Sequence, residues 1–243
     1  MILMHSVTIS GGCMHKDTLP EWERLLSAAA HLQRIIPEAV LVGGTASALY
    51  AGHRLSADAD HVINDLRERF DTVLAELESV SGWMTARINR PVQILGNLDG
   101  IETGIRQLIR QVPLETQQIE CCGVQITVPT LSEMLRIKAV LILKRNAARD
   151  YLDFAALADQ LGDRGIAESL RHFDQLYPQP NGESALQQLQ IQLAVPLPYD
   201  LEGINLVEYK NLTLRWQNWE AVKAECIHCA MLIFDEIIGA EAI

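Results

Sequence analysis

The sequence predicts an α+β fold. Three observations carry this. Short apolar runs bounded by Gly, Pro and Asn crowd residues 39–128. Longer runs with apolar residues every three or four positions fill 129–238. Two Thr-x-x-Glu capping boxes, Thr18–Glu21 and Thr130–Glu133, each open such a run. Strands early and helices late suggest an α/β core over 1–128 and a mainly helical part over 129–243. The 243 residues are enough for one large domain, or for a domain with a smaller appendage.

In chain order, residues 1–16 read as a short strand or an ordered tail. Thr18 starts a helix whose buried stripe is Leu25, Ala28, Ala29, Leu32, Ile35 and Ile36, ended by Pro37. Ala39–Val42 is a short strand, broken by Gly43-Gly44 and followed by a small-residue helix, Thr45–Tyr50. A second strand carries Asp58 and Asp60 through to Ile63. Asn64 is expected to cap the next helix, with Leu66, Phe70, Val73, Leu74 and Leu77 inward and Ser81-Gly82 at its end. Met84–Ile88 and Val92–Leu95 read as strands. Ile101, Ile105, Leu108 and Ile109 suggest a helix over 101–112, weakened by Gly104.

A hairpin is expected around Cys121-Cys122-Gly123. Helices follow from Thr130 to Arg145, over 147–160 with Gly162 as a C-terminal cap, and over 165–176. Tyr177–Gly182 is a linker candidate, ahead of a Gln-rich helix at 184–194 and a terminal helix at 217–238.

Composition narrows the function classes. A net charge of −11 argues against a protein that coats nucleic acid without specificity, while leaving room for a local basic groove. Five cysteines in no disulfide pattern, and no basic-then-apolar leader, point to a reduced, cytoplasmic protein. No apolar run approaches the ~20 residues of a membrane span, so no membrane partner is expected.

The chemistry concentrates in 39–63. Asp58 and Asp60 are alternate residues of one strand, so both carboxylates leave the same face, roughly 6.5–7 Å apart. Hard oxygen ligands at that spacing suit Mg²⁺ (or Mn²⁺), with water and phosphate oxygens completing the shell. Gly43-Gly44-Thr45, placed between a strand and a helix, would bring backbone N–H groups to a nucleotide's phosphates. The plainer reading is a tight turn. No Walker-type G-x-x-x-x-G-K occurs. Arg54 and Ser56 add donors beside the strand.

Lys138, on an apolar helix, either snorkels to water or aims an ammonium at a triphosphate. Arg149 can pair with Asp153 at i,i+4, with Asp150 beside them. The pattern is either a helix-start ion pair or a held general base. Cys226-x-x-Cys229 has no second pair to complete a zinc site and reads as core. Trp216 and Trp219 read as packing anchors, and Arg87, Arg90, Arg106 and Arg110 as solvated surface.

Taken in order, Gly43-Gly44-Thr45, His53-Arg54-Leu55-Ser56-Ala57-Asp58-Ala59-Asp60, Lys138, Arg145 and Arg149-Asp150-x-x-Asp153 resemble the AbiEii/AbiGii-like nucleotidyltransferase toxins. The resemblance covers roughly 39–160. It implies a nucleotidyltransferase-like mixed sheet flanked by helices, of the polymerase-β type. It further implies metal at Asp58 and Asp60, a nucleoside triphosphate held by the glycine turn and Lys138, and Asp153 as a further catalytic acid. The implied partners are an NTP substrate, an RNA acceptor and a cognate antitoxin. Many enzymes of this fold carry a third carboxylate on a later strand. Val92–Leu95 has none, and Asp99 lies beyond it. A protein that binds nucleotide or a partner without turnover is therefore the alternative.

Overall fold

The structure, a computed structural model, describes residues 19–238. The reading of residues 1–16, Thr18 and Cys13 lies outside them. The chain divides into two compact units, 1–130 and 131–243.

The first unit is built on a five-stranded mixed sheet. Its strands are β1 (Val40–Leu41), β2 (Asp58–Ile63), β3 (Trp83–Asn89), β4 (Gln93–Leu98) and β5 (Ile101–Gln107), in the order β1-β2-β5-β4-β3. Only β2 and β5 run parallel. Strict alternation along β2 divides the sheet into two faces. Ala59, His61 and Ile63 are buried, whereas Asp58, Asp60 and Val62 are half-exposed. Helices α1 (Leu19–Ile35) and α3 (Leu66–Glu78) cover the buried face. There Leu32, Ile36, Phe70, Val73 and Leu77 meet Ile63, Ile94, Leu98 and Ile105. Burial of such side chains stabilises by about 1.5–3 kcal/mol each.

Residues 101–112 correct the sequence reading. They hold a central strand, β5, not a helix. Ile101, Thr103 and Ile105 alternate with Glu102 and Arg106, and partnership with β2 and β4 on both sides outweighs the weak helical spacing. Gly104 does not mark a failing helix. A side chain there would collide with Leu95 and the Ile94 carbonyl of the neighbouring strand. Two helix ends also differ. Asp65 precedes α3 in place of Asn64, and the helix ends at Ser79, before Ser81-Gly82.

The hairpin of β6 (Thr116–Cys121) and β7 (Val124–Pro129) turns through Cys122 and Gly123, both at positive φ (53° and 74°). Gln33 of α1 docks it by exchanging two 2.8 Å hydrogen bonds with the Thr127 backbone. Tyr50, from α2 (Gly43–Ala51), donates to the Pro129 carbonyl.

The second unit is helical. Its elements are α4 (Leu131–Arg145), α5 (Ala148–Leu170), α6 (Phe173–Leu176), α7 (Ala185–Ala194) and α8 (Trp219–Ile233). α5 is broken at Gly162, whose φ of +65° no helix accepts, so its two parts are separate helices, as the sequence predicts, and the second stops at Leu170, ahead of α6, short of 176. α4 packs on α5 and α7, and α8 on α5 and α7. Leu135, Ile142, Tyr151, Phe154, Leu189, Val222 and Ile233 form the interior. Tyr177–Gly182 lies within this unit, between α6 and α7. No helix among the described residues is long and apolar enough to cross a membrane.

Candidate active site

In the first unit, β1 delivers the chain into α2 through Gly43, at φ +75°. A glycine is required there on conformational grounds, and its α-carbon faces the Asp60 side chain. Val42 precedes the helix in an extended conformation and gives it no side-chain cap. The first N–H groups of α2 are therefore left for another acceptor. The Val42 N–H donates to the Asp60 carbonyl at 2.8 Å, which fixes the turn against β2.

Gly44 lies directly under the Arg54 guanidinium and the Ser56 hydroxyl, and a methyl group there would overlap both. Arg54 is itself buried. The Thr45 hydroxyl is fully buried and donates to the Asp58 carbonyl at 2.5 Å. Its role in this geometry is to hold the turn on β2, and the groups the turn presents are its backbone amides. Ser47 donates back to the Gly43 carbonyl at 3.0 Å.

Asp58 and Asp60 leave the half-exposed face of β2, on the side opposite the hydrophobic core. Ser56 Oγ donates to Asp58 Oδ1 at 2.7 Å and orients that carboxylate. Asp60 Oδ1 lies 3.5 Å from Arg106 Nε on β5. The sequence reading gave no site role to two residues of this face, Glu102 and Arg106, because it left their segment ambiguous, with a helical spacing weakened by Gly104. Glu102 is the parallel-register partner of Asp58, so a third carboxylate does stand on the neighbouring strand, one strand away from Val92–Leu95. The alternation Ile101-x-Thr103-x-Ile105 is the signal that could have revealed it. No group of three His, Cys, Asp or Glu side chains is gathered tightly enough to hold a metal among the described residues. The donor set that fits a divalent cation is Asp58 with Asp60, leaving most of an octahedron for water and phosphate oxygens.

On the core face of β2, His61 is fully buried and its pKa is lowered to about 4. Desolvation is the main cause, opposed by hydrogen bonds to backbone groups. It is a neutral core residue, facing away from the carboxylates.

In the second unit, Lys138, Asp150 and Asp153 converge. Lys138 Nζ lies 2.7 Å from Asp153 Oδ2 and 3.3 Å from Asp150 Oδ1, and all three are buried. Arg149 does not take the part expected for it, since its i,i+4 neighbour Asp153 pairs with Lys138. Arg149 is exposed and lines a cleft with Arg145, Ala147, Tyr199, Asp200 and Tyr209.

Other motifs resolve into packing. Cys226 and Cys229 are buried in α8, where desolvation raises both thiols. Trp216 is buried under Arg215, and Trp219 meets Tyr151 edge-on at 6.2 Å. Arg90 pairs with Asp71, whereas Arg110 is buried against the Val112 and Pro113 carbonyls and is not the solvated surface residue the sequence suggests.

Two solved structures from Helicobacter pylori share the fold at 16% identity. JHP933 matches over 94% of this chain and 97% of its own, with a TM-score of 0.53. A protein assigned as a nucleotidyltransferase matches over 93% and 99%, with a TM-score of 0.55. At that identity the likeness shows the fold alone. Among curated proteins, the heme uptake protein MmpL11 of Mycobacterium tuberculosis is 32% identical over 130 residues. That segment is 52% of this chain and 13% of the mycobacterial protein. The family model described as "Nucleotidyl transferase AbiEii toxin, Type IV TA system" matches residues 24–232, spanning the glycine turn, the Asp58/Asp60 strand and the Lys138 cluster. This chain belongs to the AbiEii nucleotidyl transferase toxin family.

Proposed function

We propose that this protein transfers a nucleoside monophosphate from an NTP to an acceptor hydroxyl on RNA, with pyrophosphate leaving. The observation that carries the reading is the uncapped start of α2 held against two same-face carboxylates, one of them oriented by Ser56. Asp58 and Asp60 would hold Mg²⁺ or Mn²⁺, which when bound neutralises phosphate charge as the α-phosphorus is attacked. The chain's own contribution is positioning. The Gly43-Gly44 amides receive a phosphate at the positive end of α2. Arg54, packed over Gly44, braces the turn and adds positive charge beside it. Arg106 balances Asp60. For Lys138 and Asp153 we propose the nucleotide-binding and acidic roles that the family resemblance implies, with Asp150 and Arg149 in support.

The family description supports a cognate antitoxin as a partner. A reduced, cytoplasmic setting suits a chain in which none of the described cysteines is in a disulfide.

One observation favours a second reading. Asp60 already has an ionic partner in Arg106, and no three-ligand cluster forms among the described residues. A fold that binds NTP without turnover would look the same. Incubation with α-labelled NTP, Mg²⁺ and total RNA separates the two. Transfer of label to RNA, abolished in Asp58→Ala, is expected. NTP binding with no label transferred and no pyrophosphate released would establish the binding module instead.

A further inference from the structure

We propose that the second unit carries its own binding site for a single-stranded RNA segment, in the cleft where α4 ends and α5 begins. The choice of RNA as the strand rests on the function proposed above. The site rests on side chains of the second unit alone.

The cleft has a volume of about 540 Å³. That lies within the range of small-ligand sites, about 300–1,000 Å³. Arg145 closes α4 and Arg149 lies in the first turn of α5, and both are exposed and line the cleft. Neither guanidinium has an ion-pair partner among the described residues. In a chain of net charge −11, two uncommitted guanidinium groups in one cleft are a local reversal of sign. The one acid of the lining, Asp200, turns its Oδ1 to the Ala148 N–H at 2.8 Å and keeps its charge, so the two arginines outweigh it and leave the lining net positive.

The wall is held in place by Asn146, at φ +48°. Its amide donates to the Leu197 carbonyl at 2.9 Å, and its carbonyl accepts from the Tyr199 N–H at 3.0 Å. Its Oδ1 accepts from Tyr151 at 2.7 Å and from Gln192 at 2.8 Å. Tyr199 is thus anchored by its backbone, yet the residue is 76% exposed. An exposed aromatic ring in the same lining as two guanidinium groups suits one unit of a strand, with phosphate on the arginines and base stacked on the ring. An acidic peptide would use the arginines but has no need of the ring.

The test is fluorescence anisotropy with a labelled 12-nucleotide single-stranded RNA of mixed sequence. Arg145→Gln/Arg149→Gln should weaken binding at least tenfold. It should also reduce the slope of log K against log salt by about 1.4, from two lost phosphate contacts at ~0.7 each. Tyr199→Ala should weaken binding about tenfold, with Tyr199→Phe restoring it. The assignment is overturned if the double variant binds within twofold of wild type, or if wild type does not bind the strand. It is also overturned if AMP or poly-glutamate, at matched charge, displaces the strand as well as unlabelled RNA does. The first-unit reading is decided separately, by pyrophosphate release in wild type and the Asp58 and Asp60 variants.

Discussion

Lys138→Met is the perturbation with the best-defined consequence. The ammonium sits 2.7 Å from Asp153 and 3.3 Å from Asp150, and the three side chains are 4% exposed or less. Asp150 Oδ2 has no hydrogen-bond partner. Removing the cation takes from Asp150 and Asp153 the counter-charge they share. Breaking such a buried cluster from one side costs about 3–5 kcal/mol, because the charges left behind keep their desolvation penalty. With a urea dependence of about 1–3 kcal/mol per molar, the unfolding midpoint of the second unit should fall by about 1 M or more. Two units need not unfold together, so the probe must report on one. Trp22 and Trp83 belong to the first unit, whereas Trp216 and Trp219 belong to the second. A Trp22→Phe/Trp83→Phe background therefore isolates the helical unit by fluorescence. Asp150→Asn/Asp153→Asn added to Lys138→Met should recover most of the loss. A Lys138→Met midpoint within 0.3 M of its background, about 1 kcal/mol or less, would refute the buried cluster as a stabilising unit.

Other consequences are as concrete. Gly44→Ala should push the Arg54 guanidinium off the turn. The atoms displaced are the far end of a side chain, so the melting temperature should change little while the KM for NTP rises. The His61 pKa falls from 6.5 to about 4 on folding, so the unfolded chain takes up the proton first as the pH drops. The associated stability is complete above pH 6.5 and is lost as the pH falls toward 4. At 1.36 kcal/mol per pH unit the loss reaches about 3 kcal/mol. His61→Leu should flatten that part of the pH–stability curve relative to wild type. Cys226 and Cys229 have raised pKa values through burial, so iodoacetamide mapping of the native protein should leave both unmodified while labelling Cys121 and Cys122.

Much of the first unit was legible in the sequence because local rules and tertiary needs agree there. The apolar run at 40–41, the glycine break and the alternation from Asp58 to Ile63 each have one low-energy solution. Residues 101–107 were not legible, because Ile101, Ile105 and Leu108 fit a helical stripe as well as a strand. Only the partners on both sides, β2 and β4, decide it. The cost of that ambiguity was functional, since it hid Glu102 and Arg106 from the carboxylate face. In the second unit the spacing of Lys138 and Asp153 flagged both residues but misassigned the pairing. Helical i,i+4 geometry favoured Arg149 for Asp153, whereas packing of α4 on α5 supplies Lys138 instead. The cleft could not be foreseen, since Tyr199 reaches Asn146 through a backbone hydrogen bond that leaves no trace in side-chain pattern.

The central claim is that Asp58 and Asp60, beside the uncapped start of α2, do the work of nucleotide transfer. Its most direct measurement is pyrophosphate release from NTP with total RNA and Mg²⁺, for wild type, Asp58→Asn and Asp60→Asn. Each variant loses one carboxylate charge with little change in shape. Removal of a group that stabilises developing charge costs about 10²–10³ in rate. The account predicts a loss of at least that size in both variants, with melting temperatures unchanged. Release by either variant at the wild-type rate, or no release by wild type with any of the four NTPs, would contradict it.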